Sequence, residues 1–218
     1  SDINGCSASS SITLTEPDSL VNYFTTDSVT CHGGSDGSAY TNVSGGTAPY
    51  HYSWLGSSSD SSSAHSLMSG IIYDVSILDL NGCPILLDNI SIPQPDSIYL
   101  LTSQISPTCN GDNDGAIIVD SISGGTGGYT LQWSDGQSGT IINNLYGGSY
   151  SVVITDAKGC VDSSYSTILN EPDTLIANIE ITSDLECYGD TNGVLLATAV
   201  GGSGTYTYLW NTLNTSNS

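Results

Sequence analysis

Tyr150-Ser151-Val152-Val153-Ile154-Thr155-Asp156-Ala157-Lys158-Gly159-Cys160 repeats, in kind and order, the earlier stretch Tyr73-Asp74-Val75-Ser76-Ile77-Leu78-Asp79-Leu80-Asn81-Gly82-Cys83. In the later stretch Val152 and Ile154 alternate with Ser151, Val153 and Thr155. In the earlier one Tyr73, Val75 and Ile77 alternate with Asp74, Ser76 and Leu78. A period of two sends successive side chains to opposite faces of an extended chain, so each stretch reads as a half-buried β-strand. Asn81-Gly82 is a strong hairpin signal, because both residue types tolerate the left-handed backbone of a tight turn. The chain opens inside the same element, at Asp2-Ile3-Asn4-Gly5-Cys6.

Working outward, every other motif recurs too. Cys31-His32-Gly33-Gly34-Ser35-Asp36-Gly37 returns as Cys109-Asn110-Gly111-Asp112-Asn113-Asp114-Gly115 and as Cys187-Tyr188-Gly189-Asp190-Thr191-Asn192-Gly193, a step of 78 residues each time. Gly45-Gly46-Thr47-Ala48-Pro49-Tyr50-His51-Tyr52-Ser53-Trp54 matches Gly124-Gly125 through Tyr129 and Trp133, then Gly201-Gly202 through Tyr206 and Trp210. Glu16-Pro17, Gln94-Pro95 and Glu171-Pro172 close each unit. A fixed period of this length marks a tandem array of small domains. Residues 1–17 are expected to end one repeat, 18–95 and 96–172 to be complete repeats, and 173–218 to be the N-terminal half of another. Both ends fall inside a repeat, which predicts a piece of a longer array. Such arrays serve reach, stiffness or multivalent contact more often than chemistry.

No stretch carries sustained helical periodicity. In the second complete repeat, strands are expected near 97–106, 115–122, 128–133, 139–143, 149–155 and 163–170. About seven short strands in roughly 75–80 residues suit an immunoglobulin-like β-sandwich. The fold class is therefore all-β, a tandem array of immunoglobulin-like repeats. Trp133 is expected to pack from the third strand, and Tyr150 to start the sixth, where a tyrosine corner would sit. Trp54, Trp133, Trp210, Tyr73 and Tyr150 are the expected core aromatics. Tyr50, Tyr52, Tyr129, Tyr206 and Tyr208 share the repeat-locked, strand-alternating spacing and read as core before sugar-stacking platform.

The 218 residues hold 22 acidic side chains against a single basic one, Lys158, for a net charge of −21. That balance argues against nucleic acid and anionic membranes as partners and leaves trypsin one site. No apolar run is long enough to insert in a bilayer. The six cysteines fall two to a repeat, which reads as a disulfide framework in an oxidising compartment. Zinc is the rival reading, but there is no Cys-x-x-Cys pair and the histidines do not repeat.

In an immunoglobulin topology the first interstrand loop, with Cys31, lies at one end of the domain. The last hairpin, with Cys83, lies ~25–35 Å away at the other. A disulfide needs Cα atoms within ~7 Å. This favours an inter-repeat bridge, Cys31–Cys160, with Cys6, Cys83, Cys109 and Cys187 paired beyond the sequence. The alternative, in a different topology, is Cys31–Cys83 with Cys109–Cys160.

Taken together, Cys-x-Gly-x-x-Asp-Gly, Gly-Gly-Thr-x-Pro-Tyr-x-Tyr-x-Trp, Gly-x-Tyr-x-Val-x-Ile-x-Asp-x-x-Gly-Cys and Glu-Pro resemble the SprB repeat of very large surface adhesins in gliding Bacteroidetes. The resemblance spans essentially the whole chain. Gly127-Gly128 and Gly204-Thr205 replace Ala48-Pro49, and the first repeat has one extra residue between Leu67 and Tyr73. The resemblance implies an extracellular cell-surface filament, exported by type IX secretion and moved by the gliding machinery. Its implied partners are neighbouring repeats and an external surface or glycan. That bacterial group also modifies Asp-Ser/Thr followed by a small or aliphatic residue by O-glycosylation. This makes Ser19, Ser28, Ser97, Ser121 and Thr174 candidates, three of them at repeat junctions.

Asp112, Asp114 and Asp190 resemble half of an oxygen-rich calcium loop, but no bidentate Glu follows at the expected distance. Asp and Asn before Gly are equally what a tight turn needs, so no cofactor is required and calcium stays a weaker candidate. His32, His51 and His65 are non-equivalent, and no residues are assigned to catalysis. The leading functional expectation is thus a non-enzymatic adhesive filament. An accessory polysaccharide-binding module of a large secreted enzyme is the alternative.

Overall fold

The computed structural model describes residue 1 and residues 3–211. Residues 212–218 of the last segment lie outside the described residues. The described chain is all-β and divides into two compact units, residues 1–96 and 97–218.

The first unit is a two-sheet sandwich. Strands β1 (Val21–Asp27), β2 (Gly37–Ser44) and β4 (Ser63–Leu67) form one sheet in the order β1-β2-β4. Strands β3 (His51–Leu55), β5 (Ile72–Leu78) and β6 (Pro84–Ser91) form the other in the order β3-β5-β6. All pairings are antiparallel. This is immunoglobulin-like topology with six strands, not about seven. The connection from β3 to β4 is Gly56-Ser57-Ser58-Ser59-Asp60-Ser61-Ser62, which has no apolar side chain to bury and so builds no extra strand.

Alternation does the packing. On β5, Tyr73, Val75 and Ile77 are buried, while Asp74 and Ser76 are only half-buried and Ile72 and Leu78 lie open. They meet Ala39 from β2, Ala64 and Leu67 from β4, Trp54 from β3 and Ile90 from β6 in one core. Trp54 reaches the core without stranding its indole N–H, which donates to Ser61 O at 2.9 Å.

The second unit repeats the plan with β7 (Tyr99–Ile105), β8 (Gly115–Ser123) and β10 (Ile141–Leu145) facing β9 (Thr130–Trp133), β11 (Gly148–Thr155) and β12 (Val161–Leu169). Its own core gathers Ile117, Leu131, Trp133, Ile142, Val152, Ile154 and Leu169. Tyr150 lies inside the fifth strand of this repeat, not at the start of a sixth, because residues 134–140 between the third and fourth strands build no extra strand. It is half-buried, and its hydroxyl donates to Tyr146 O at 3.0 Å. The equivalent Tyr73 hydroxyl accepts from the Met68 amide at 2.9 Å. In both repeats the phenol thus ties down the turn before its own strand. The unit continues into an antiparallel pair, β13 (Asp173–Ser183) and β14 (Val194–Gly202). Trp210 follows, half-buried.

Candidate functional site

The repeated polar residues gather at the two poles of each repeat. In the first unit the chain comes in at one pole, where the Gly46 amide donates to Asp18 O at 2.7 Å. Gly45 has φ +78°, and a Cβ there would lie 2.1 Å from Ser19 O, so only glycine fits where the loop crosses the incoming chain. Tyr50 donates its hydroxyl to Gly45 O at 2.7 Å, and Tyr206 repeats the bond to Gly201 O at 2.7 Å. Tyr129 makes the same bond to Gly124 O.

Asp79, buried beneath this loop, organises the β5–β6 hairpin. Its Oδ1 accepts from the amides of Asn81 (2.9 Å) and Cys83 (2.8 Å), and its Oδ2 from the Thr47 amide (3.0 Å). Asp156 does the same in the second unit, with Lys158 and Cys160 amides at 2.9 Å and the Thr126 amide and hydroxyl at 2.8 Å. The Cys83 amide chiefly holds the Asp79 carboxyl below the usual carboxylate range. Burial alone would raise Asp156, but the donors from Cys160, Thr126 and Lys158 outweigh it and lower it.

The opposite pole holds the cysteine loop and the outgoing chain. The Val29 amide donates to Pro93 O at 3.0 Å, and the Gly33 amide and Ser69 hydroxyl both donate to Gln94 Oε1 at 2.8 Å. Glu171 takes the Gln94 role in the second unit, accepting from Asn110 Nδ2 and the Gly111 amide at 3.0 Å. Asn110 also donates to Pro172 O at 3.1 Å and accepts from the Thr174 hydroxyl at 2.9 Å. The closing Glu-Pro or Gln-Pro is therefore a cap on the cysteine loop. β1, seven residues long, separates the two poles by about 20 Å.

Cys31 and Cys160 each take part in a disulfide, whereas Cys83, Cys109 and Cys187 carry exposed thiols. Cys83 opens onto a groove with Glu16, Ser19 and Leu20, and Cys109 onto one with Thr174, Leu175 and Tyr206. Of the calcium candidates, Asp114 has both carboxylate oxygens taken by Thr108, whose amide donates at 2.8 Å and whose hydroxyl also donates. The Thr108 hydroxyl chiefly lowers its pKa, and Thr30 does likewise for Asp36. Asp190 accepts from the Cys187 amide at 2.7 Å. Among the described residues, no group of three or more His, Cys, Asp and Glu side chains converges as a metal would require. Among the described residues, no helix is long and apolar enough to cross a membrane.

Ser19, Ser28, Ser97, Ser121 and Thr174 are all exposed. Ser28 donates to Pro93 O at 3.0 Å, and the Thr174 hydroxyl is held by Asn110. The two carboxylate anchors and the Gln94/Glu171 caps are the residues that motif reading passed over. Their signal was present, since each recurs at one fixed place in its repeat.

The family model for the SprB repeat matches residues 23–59, 101–138 and 179–215, together more than half of the chain. The chain belongs to the SprB-repeat family. Each match covers the stretch from the first strand past the repeated tryptophan, so cysteine loop, glycine pair and Trp lie inside it. Among solved structures, the SprB-repeat chain is similar to the C-terminal 282-residue fragment of intimin in complex with the intimin-binding domain of its translocated receptor. The identity is 11%, over 75% of this chain and 67% of that one, with a TM-score of 0.35. No curated protein matches it.

Proposed function

We propose that these SprB repeats are a structural segment of an extracellular cell-surface adhesin filament, acting in surface adhesion and gliding. The observation that carries this is family membership, in repeats whose chain comes in at one pole and leaves at the other. Such a unit transmits its chain straight through and suits a shaft. The repeated side chains are spent on loop anchoring: Asp79 and Asp156 hold hairpins, and Gln94 and Glu171 cap cysteine loops.

An inter-repeat staple, Cys31–Cys160, belongs to this proposal. It is supported by the oxidised state of these two residues beside the thiols of Cys83 and Cys109. Exposed Ser19 and Ser97, at equivalent junction positions, are the leading O-glycosylation positions. Living source cells labelled with a fluorescent antibody against one repeat test the function. Label travelling along the cell body is the expected result. Label confined to the cell interior would overturn the surface reading, and static surface label would remove gliding from it.

A further inference from the structure

The outer face of the β1-β2-β4 sheet in the first unit carries a line of rings that the loop anchoring leaves unexplained. Tyr23, Thr25 and Asp27 on β1 point away from the core, as do Ser38, Tyr40 and Asn42 on β2 and Ser63 and His65 on β4. In the register, Tyr23 stands opposite Asn42, Tyr40 between Thr25 and Ser63, and His65 opposite Ser38. Each ring is therefore one strand over and two residues along from the last. Tyr23, Tyr40 and His65 run as a diagonal across three strands, with steps of about 7–8 Å.

The rings are exposed and held. Tyr23 is 61% and Tyr40 40% exposed. Asn42 Nδ2 donates to the Tyr23 hydroxyl at 2.5 Å, and His65 Nδ1 pairs with the Ser38 hydroxyl at 2.9 Å. His65 meets Tyr40 edge-on, with centroids 5.6 Å apart at 77°. Two open tyrosines thus lie among short hydroxyl and amide side chains. At the corresponding positions the second unit has Leu101, Ile118 and Asn143, with no ring.

We propose that this diagonal binds a neutral polysaccharide, two or more sugar rings lying along Tyr23 and Tyr40. Sugars present apolar C–H faces to aromatic rings and hydroxyls to neighbouring polar groups, and this face offers both in alternation. Among the described outward-facing residues of β1, β2 and β4 the one carboxylate is Asp27, at one end, and residues 1–96 contain no Lys or Arg, so an anionic glycan has no counter-charge here. The proposal rests on the surface-adhesin reading and names the kind of surface that this one repeat grips.

The test is affinity electrophoresis of the full 218-residue chain through gels containing xylan, mannan, a β-glucan or hydroxyethyl cellulose, with alginate and polylysine gels as charged comparisons. Retardation is expected in at least one neutral gel. Tyr40→Ala and Tyr23→Ala each weaken it about tenfold or more. Tyr40→Phe, which keeps the stacking face, and Leu101→Ala in the second unit leave it unchanged. No retardation in any neutral gel, retardation only by alginate or polylysine, or equal retardation of Tyr40→Ala and Tyr40→Phe would each overturn the proposal. Antibody labelling of cells reads the adhesin proposal separately. Surface label beside a chain that no neutral polysaccharide retards sinks the glycan site alone.

Discussion

Asp79 and Asp156 show how one side chain can shape a repeat pole. Each carboxylate is shared between the last hairpin and the glycine loop, so its removal leaves amides on two segments without an acceptor. Asp156→Ala is expected to lower the Tm of its repeat by roughly 4–8 °C, the shift of a small domain losing one well-formed interaction. Calorimetry measures it. Both carboxyls are held below their ordinary value, near 3.9 in an unfolded chain. The unfolded state therefore takes up these protons first as pH falls. The stability they contribute is complete above pH ~5 and is lost progressively as pH falls past the unfolded value and through the lower folded one. The double variant Asp79→Asn/Asp156→Asn should show a flatter Tm-against-pH curve below pH ~4 than the parent. The sequence displayed Asp-x-x-Gly-Cys as a strand end and a turn. That the same Asp also reaches back to Thr47 or Thr126 was hidden, because it joins segments some thirty residues apart.

Strands were the most legible elements. Period-two alternation with Gly and Asn punctuation placed β7 to β12 close to where they stand, since burial on one face is all that a strand in a sandwich requires. The strand count was less legible, because a family average does not reveal that Ser-rich 56–62 or 134–140 is too polar to pair inward. The outer faces were illegible for a different reason. Alternation tells which residues face out, but only cross-strand register brings Tyr23, Tyr40 and His65 into one line. Inward-facing Ile77 and Ile154 have no exposed surface and sit in separate cores. Ile77→Ala and Ile154→Ala are each expected to cost about 2–5 kcal/mol. Urea unfolding followed by fluorescence of Trp54 or Trp133, with the other two of the three tryptophans replaced by Phe, should register each loss at the tryptophan of the same core.

For the molecule as a whole, the period of 78 residues announced tandem repeats, while cysteine connectivity depends on which loops share a pole. The proposed Cys31–Cys160 bridge spans the single tryptic site, Lys158. After the thiols are alkylated and the chain is unfolded without reductant, trypsin should yield fragments 1–158 and 159–218 that stay joined until dithiothreitol is added. Peptide mapping should find Cys83 and Cys109 alkylated. Cys109 recovered in linkage to Cys160 would defeat the staple. The two-pole route of the chain has a mechanical corollary. In a shaft of the kind proposed, a pull would reach the first unit at the start of β1 and leave it beyond β6, along the axes of strands whose ladder bonds lie crosswise. Tension then loads every rung of a ladder at once, in shear, instead of peeling rungs off one at a time, so the sandwich yields only when many bonds fail together.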